Sequence, residues 1–186
     1  MRPTGAARLA GVVGDPIAHS LSPSLMSAWI EEAGIDAVYA PFAVARDEAA
    51  DFLRCMARTG QVGLNVTLPH KQTALAVSDR ASPAARAIGA ANLLTFQNGE
   101  IYADNTDAMG FLNALLAAGV DPVRGPVLVL GAGGAARAIL HALVEAGAPE
   151  IRLSNRSLAN AEALVCDLAP QARLYQWDQR DQALEQ

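Results

Sequence analysis

The sequence predicts an α/β protein of two successive units, and three observations predict it. Short apolar runs alternate with stretches of helical spacing along most of the 186 residues, which is the rhythm of βαβ units. The rhythm breaks once, at "NLLTFQNGEIYADNT", where Asn98-Gly99 between two apolar runs signals a tight hairpin. It restarts after "DPVRGP", Asp121 to Pro126, with the run "VLVL" and a glycine-rich turn. The first unit is expected over residues 1–105 and the second over 106–186.

Each element follows from local pattern. Leu9 to Val13 reads as a strand. Ser22 followed by Pro23 reads as a helix start, with serine as N-cap and proline at the first helical position. Leu25, Met26, Trp29 and Ile30 then recur at helical spacing until Gly34, which is placed to end the helix. Ala37–Val44 reads as a strand, a helix starts at Asp47, Val62–Leu68 is a strand ended by Pro69, and a helix lies near Lys71. After the hairpin a helix runs from Thr106 to about Ala118, with Phe111, Leu112, Leu115 and Leu116 on one face and Gly119 after it. The second unit reads as "VLVL", a helix through about Ala146, a strand at Ile151–Ser154, a helix from Leu158 and a last strand near Ala172–Tyr175. A complete doubly wound dinucleotide unit has about six strands, so this one is read as incomplete.

Composition narrows the function classes. With 52% hydrophobic and 18% charged residues, the chain can bury a sizeable core as one large domain or two small ones. The formal net charge is -5 and the Lys and Arg residues are scattered, which argues against a nucleic-acid surface with its clustered basic face. Cys55 and Cys166 lie far apart without a CxxC pair, so neither a disulfide framework nor a cysteine zinc site is indicated, and a reducing, cytoplasmic setting is expected. No stretch approaches the ~20 apolar residues of a membrane span.

Several polar residues stand where chemistry could use them. Ser20 and Ser22 follow the first strand beside a helix start, where two hydroxyls cap the helix or hold an anion such as a carboxylate. In "VGLNVTLPHK" the period of two puts Asn65 and Thr67 on one face of an otherwise apolar strand. Lys71 follows just beyond the carboxyl end of that strand, where open α/β sheets bind ligands, although a lysine there is also an ordinary surface charge. Asp107 suits the first turn of its helix, and Asn92 suits a turn.

The glycine-rich turn is more specific. "VLVLGAGGAARAIL" puts Gly131, Gly133 and Ala136 at the fingerprint positions of a Rossmann-type dinucleotide site, after a strand and opening a helix. Gly131 permits the turn, Gly133 lets the backbone approach a pyrophosphate, and Ala136 allows close helix packing. An NAD-preferring fold usually ends its second strand with an acidic residue on the ribose. Here "LSNRS" offers Asn155, Arg156 and Ser157, a guanidinium fork and polar groups with no carboxylate, which suit the 2′-phosphate of NADP.

Taken together, "SLSP", "NVTLPHK", "GAANLL", "DNTDAMGF", "GAGGAARA" and "NRS" resemble, in order and spacing, the shikimate dehydrogenase family along essentially the whole chain. The resemblance implies an N-terminal α/β substrate-binding and catalytic domain followed by an incomplete Rossmann-type NADP-binding domain. It implies reversible, NADP-dependent reduction of 3-dehydroshikimate to shikimate, an oxidoreductase step of chorismate and aromatic amino-acid biosynthesis. Ser20 and Ser22 would hold the substrate carboxylate, and Asn65, Thr67, Asn92 and Asp107 the ring hydroxyls, with Lys71 and Asp107 as the catalytic pair. Gly131, Ala132, Gly133, Gly134 and Ala135, with Asn155, Arg156 and Ser157, would hold NADP. No metal is implied, and His19, His70 and His141 are not carried over as catalytic, although His70 beside Lys71 could contribute secondarily. A monomer or homodimer without nucleic-acid or membrane partners is expected. Ala108 stands where the family often has glycine. Family members continue beyond the point matching Gln186, so the chain is read as lacking the C-terminal part. A mixed quinate/shikimate dehydrogenase and a shortened, non-catalytic ligand-binding paralogue remain the alternatives, with Ser22 and Arg156 favouring shikimate and NADP.

Overall fold

The computed structural model describes residues 3–185. The chain divides into two compact units, Met1–Asn105 and Thr106–Gln186.

The first unit runs β1 (Arg8–Gly14), α1 (Ser22–Glu32), β2 (Ala37–Ala43), α2 (Ala49–Met56), β3 (Gly63–Val66), α3 (Lys71–Ala76), β4 (Arg80–Ala81), α4 (Pro83–Ile88), β5 (Leu93–Gln97) and β6 (Glu100–Asp104). Its sheet has the order β2-β1-β3-β5-β6-β4. Both neighbours of β1 are parallel to it, whereas β5 is antiparallel to β3 and forms a hairpin with β6. The hairpin turns at Asn98 and Gly99 with φ of 54° and 79°, the left-handed pair that a two-residue turn between twisted strands requires. The chain leaves β1 towards β2 and returns to β3 on the other side. The β1/β3 boundary is therefore a switch point, where a crevice opens at the carboxyl ends of the strands.

Alternation along the strands divides the two faces. Val13, Leu64 and Val66 point into the main core with Leu53, Leu94, Phe96 and Ile101. Each fully buried leucine there contributes about 1.5–3 kcal/mol relative to exposure. On the opposite face Val12, Ile17 and Tyr39 pack with Ala10, Met26 and Ile30 beneath α1.

Two expectations need correction in this unit. Ser22 is the first helical residue and not the N-cap, because the first turn is closed by the Leu25 N–H donating to the Leu21 carbonyl at 3.1 Å. Ser20 serves the turn in its place, its Oγ accepting from the Ser22 N–H at 3.3 Å. The pair β4 and α4 is additional to the elements expected from sequence, since a two-residue strand carries no periodicity. Ser82 caps α4, accepting from the Ala85 N–H at 3.0 Å and donating to Asp104 Oδ1 at 2.5 Å.

The second unit comprises α5 (Asp107–Ala117), β7 (Val127–Leu130), α6 (Gly134–Ala146), β8 (Ile151–Ser154), α7 (Leu158–Leu168), β9 (Arg173–Tyr175) and α8 (Gln182–Glu185). The strands form a parallel sheet in the order β7-β8-β9. Val129, Leu140, Leu143, Ile151, Leu153 and Leu164 make its core, with Phe111 of α5 at the margin. The single apolar face expected of α5 is only partly used: Leu116 is 60% exposed and no residue of the helix is fully buried. Among the described residues no helix is long and apolar enough to cross a membrane.

Arg152, almost wholly buried in β8, donates to Glu150 Oε1 at 2.8 Å and to the Ala183 carbonyl at 2.5 Å, tying α8 to the sheet. The hydrogen bond and charge of Arg152 hold the Glu150 carboxyl below its ordinary value of 4.5. A depressed carboxyl contributes stability that is fully present above the ordinary value and lost as pH falls through the depressed one. The gap in Tm between the protein and a Glu150→Gln variant is expected to be constant above about pH 5 and to shrink below about pH 4. Thermal melts from pH 3 to pH 8 check this, and a gap independent of pH contradicts it.

Candidate functional site

The crevice at the carboxyl ends of β1 and β3 collects polar residues from several elements. β1 ends at Gly14, and the segment after it carries Ser20 and Ser22, both half-buried, into the start of α1. Gly14 is required by close approach: a Cβ there would lie 2.5 Å from Thr67 Cγ2. Thr67 itself follows β3, its N–H donating to the Val13 carbonyl at 3.0 Å. Asn65 pairs in register with Val12, so it and Thr67 share the α1 face with the two serines' segment.

Lys71 opens α3 four residues beyond Thr67, and its backbone is held on both sides. The His70 N–H donates to the Thr67 carbonyl at 3.0 Å, and the Lys71 carbonyl accepts from the Ala91 N–H at 2.8 Å. That second bond ties Lys71 to the residue before Asn92. Because β5 runs antiparallel to β3, Asn92 lies at the same edge, its carbonyl accepting from the Val66 N–H at 2.8 Å and its N–H donating to the Asp104 carbonyl at 3.0 Å. Backbone bonds thus bring Thr67, Lys71 and Asn92 to one edge of one sheet, and strand register puts Asn65 beside them.

His70 has a structural role. It is fully buried, and its Nε2 donates to the Val44 carbonyl at 2.8 Å, fastening the start of α3 to the end of β2. Asp107 is the first residue of α5 and lies in the second unit. The lead-in to it is fixed within the first unit. Asp104 Oδ1 accepts from the Asn105 N–H at 2.7 Å, and buried Asn105 donates from Nδ2 to the Ala90 carbonyl at 2.8 Å.

Sequence reasoning passed over Tyr39, whose hydroxyl donates to Asn65 Oδ1 at 2.7 Å. Burial pushes this phenol up to about 12, so it keeps its proton at neutral pH. The available signal was a single polar group in the apolar run "AVYAPFA".

The second unit carries the glycine loop between β7 and α6. Gly131 has φ of +105°, a conformation that side chains disfavour, and its N–H donates to the Ser154 carbonyl at 2.8 Å. Gly133 is the extended N-cap of α6, and a Cβ there would meet nothing within 4 Å, leaving open space before the first-turn N–H groups of a 13-residue helix. Ala132, Gly134 and Ala135 complete that loop and first turn, and Ala136 is buried in the core. Such a cradle fits a pyrophosphate.

Adjacent β8 ends at Ser154, and the next three residues form the turn into α7. Asn155 donates from Nδ2 to the Ser157 carbonyl at 2.8 Å, and Ser157 caps α7 by accepting from the Asn160 N–H at 3.5 Å. Both polar neighbours therefore shape the turn, and Arg156 between them is exposed.

Comparisons with known proteins bear on both units. Residues 12–94 match the shikimate dehydrogenase substrate binding domain. The chain is 52% identical over 185 residues to "Shikimate dehydrogenase (NADP(+))" of Maricaulis maris, covering 100% of this chain and 66% of that protein. It is 45% identical to the protein of the same name from Paramagnetospirillum magneticum, covering 98% of this chain and 67% of that one. Among solved structures, shikimate 5-dehydrogenase from Thermus thermophilus, in complex with NADP(H) and shikimate, superposes with a TM-score of 0.81 at 40% identity. That match covers 90% of this chain and 62% of the Thermus chain. The chain thus spans about two thirds of the length of the curated relatives it matches. With the substrate-binding domain matched over residues 12–94 and 45–52% identity to these relatives along essentially the whole chain, the chain belongs to the shikimate dehydrogenase family.

Proposed function

We propose that the chain acts in NADP-dependent interconversion of shikimate and 3-dehydroshikimate, with residues 1–105 binding substrate and residues 106–186 binding NADP. The observation that carries this reading is the gathering of Asn65, Thr67, Lys71 and Asn92 at one carboxyl edge, next to the hydroxyl-bearing entry to α1. Shikimate is a cyclic acid with several hydroxyls, and this edge offers hydroxyls, amides and a lysine amine.

Ser20 and Ser22 are assigned the substrate carboxylate, beside the N-terminus of α1, whose positive dipole end favours an anion. Asn65, Thr67 and Asn92 are assigned the ring hydroxyls. Oxidising a secondary alcohol to a ketone removes a hydride from carbon and a proton from the reacting hydroxyl. Lys71, acting as the neutral amine, takes that proton to become ammonium, and in the reverse direction the ammonium returns it to the forming alcohol. Asp107 is assigned the reacting hydroxyl. NADP, when bound, supplies the two-electron acceptor. Gly131 through Ala135 are assigned its pyrophosphate, and Asn155, Arg156 and Ser157 the side bearing its 2′-phosphate.

The test mixes the protein with shikimate and NADP and follows reduced nicotinamide by absorbance, with quinate and NAD as parallel controls and calorimetry for binding. Turnover or binding of shikimate in preference to quinate is expected. A folded sample that binds neither shikimate nor NADP would overturn the reading.

A further inference from the structure

Tyr39 has no part in the chemistry above, yet it is 6% exposed and belongs to the small core beneath α1. Its strand, β2, is separated from β3 by β1. Tyr39 is in register with Ala10 and Asn65 with Val12, so the contact between them spans two strand spacings, about 9–10 Å. A long, rigid ring lying along the sheet makes that reach, and its hydroxyl ends 2.7 Å from Asn65 Oδ1.

The polarity of the bond is set by chemistry. A phenol O–H is a good donor, whereas its oxygen shares electron density with the ring and accepts poorly. The partner is accordingly the carboxamide oxygen. Burial, which pushes the phenol up to about 12, keeps this donor protonated across the neutral range. With one lone pair of Oδ1 taken by Tyr39, the wholly uncommitted part of the exposed Asn65 amide is Nδ2, with its two N–H donors.

We propose that Tyr39 is a positioning residue: by occupying the carboxamide oxygen of Asn65 it fixes the amide so that Asn65 presents N–H donors to an oxygen of the substrate. The inference rests on the reading of Asn65 as a substrate contact. It adds that the group Asn65 meets through Nδ2 accepts a hydrogen bond, as a hydroxyl or keto oxygen does. Tyr39 thereby sets which way round that part of the substrate is read.

Two measurements on the protein test this, calorimetric binding of shikimate and NMR order parameters of the Asn65 side-chain amide. In Tyr39→Phe the ring remains and only the donor is lost. Shikimate binding is expected to weaken by about tenfold, with NADP binding unchanged and the Asn65 amide less ordered. In an Asn65→Ala background Tyr39→Phe should cost nothing further, since the two residues act as one unit. A purely structural role would instead leave the two losses additive, and that result overturns the proposal. Asn65→Asp keeps an acceptor for Tyr39 and removes the N–H donors, so it should lose binding as Asn65→Ala does. Wild-type affinity in Asn65→Asp would also overturn the proposal. If the unmodified protein fails to bind shikimate, the functional reading falls by itself. The amide order then still decides about Tyr39, a loss in Tyr39→Phe supporting its positioning role and no change refuting it.

Discussion

Replacing Lys71 by alanine is expected to lower shikimate turnover by about 10²–10⁴-fold while changing the dissociation constant of shikimate by no more than about threefold. The large loss in rate follows from the proton-accepting role proposed for Lys71. Little change in binding follows from the way the residue is mounted. Three bonds that hold the Lys71 backbone in place, the His70 N–H to the Thr67 carbonyl, the Ala91 N–H to the Lys71 carbonyl and the His70 imidazole to the Val44 carbonyl, do not use the lysine side chain. Alanine at the first position of α3 keeps all three and suits a helix. Lys71→Arg sharpens the test, because a guanidinium keeps the positive charge but holds its proton too tightly to exchange it. Steady-state kinetics with calorimetry on the same samples separates the outcomes. A raised Michaelis constant at unchanged turnover would assign Lys71 to binding alone.

Replacing Arg156 by alanine is expected to raise the Michaelis constant for NADP by about 10- to 100-fold, through loss of a charge-assisted, bidentate contact to a phosphate. The constant for NAD, which lacks the 2′-phosphate, should change by no more than about twofold. The placement supports this. The Gly131 N–H to Ser154 carbonyl bond sets the glycine loop beside the end of β8, and Arg156 projects from the turn that follows. Asn155 and Ser157 spend their polar groups on the turn itself, so the phosphate preference falls mainly on the guanidinium. No acidic residue stands in that turn to repel a phosphate. Kinetics with both cofactors on both proteins is the check. Equal losses for NADP and NAD would mean that Arg156 supports the turn and does not select the cofactor.

Much of the fold was legible from local pattern. Asn98-Gly99 announced its hairpin because both residues tolerate positive φ. The glycine loop was legible for a similar reason, as Gly131 stands where a side chain would be strained. The candidate site was legible in part. Alternation alone put Asn65 and Thr67 on one face, and Lys71 beyond the strand end, because the period of two is a property of the extended backbone. The roles of neighbouring residues were less legible. Ser22 looked like a cap, but the helix takes Leu21 as its first carbonyl and leaves the turn to Ser20. His70 looked like a companion to Lys71, but its ring points into the core to reach Val44. Leu116 looked like a core residue of its helix and is exposed.

The sequence by itself determined all the strands but β4, the principal helices, the hairpin, the two-unit layout and the residue types available for chemistry. All of these follow from backbone preferences and periodicities that act within a few residues. Only the tertiary structure decided that β1 lies between β2 and β3, that β5 turns back beside β3 to bring Asn92 to Lys71, and that Tyr39 reaches Asn65 across an intervening strand. Those arrangements depend on which strands become neighbours and in which register. That choice is made by packing the whole sheet against its helices, among residues far apart in the chain, so no local stretch of sequence carries it.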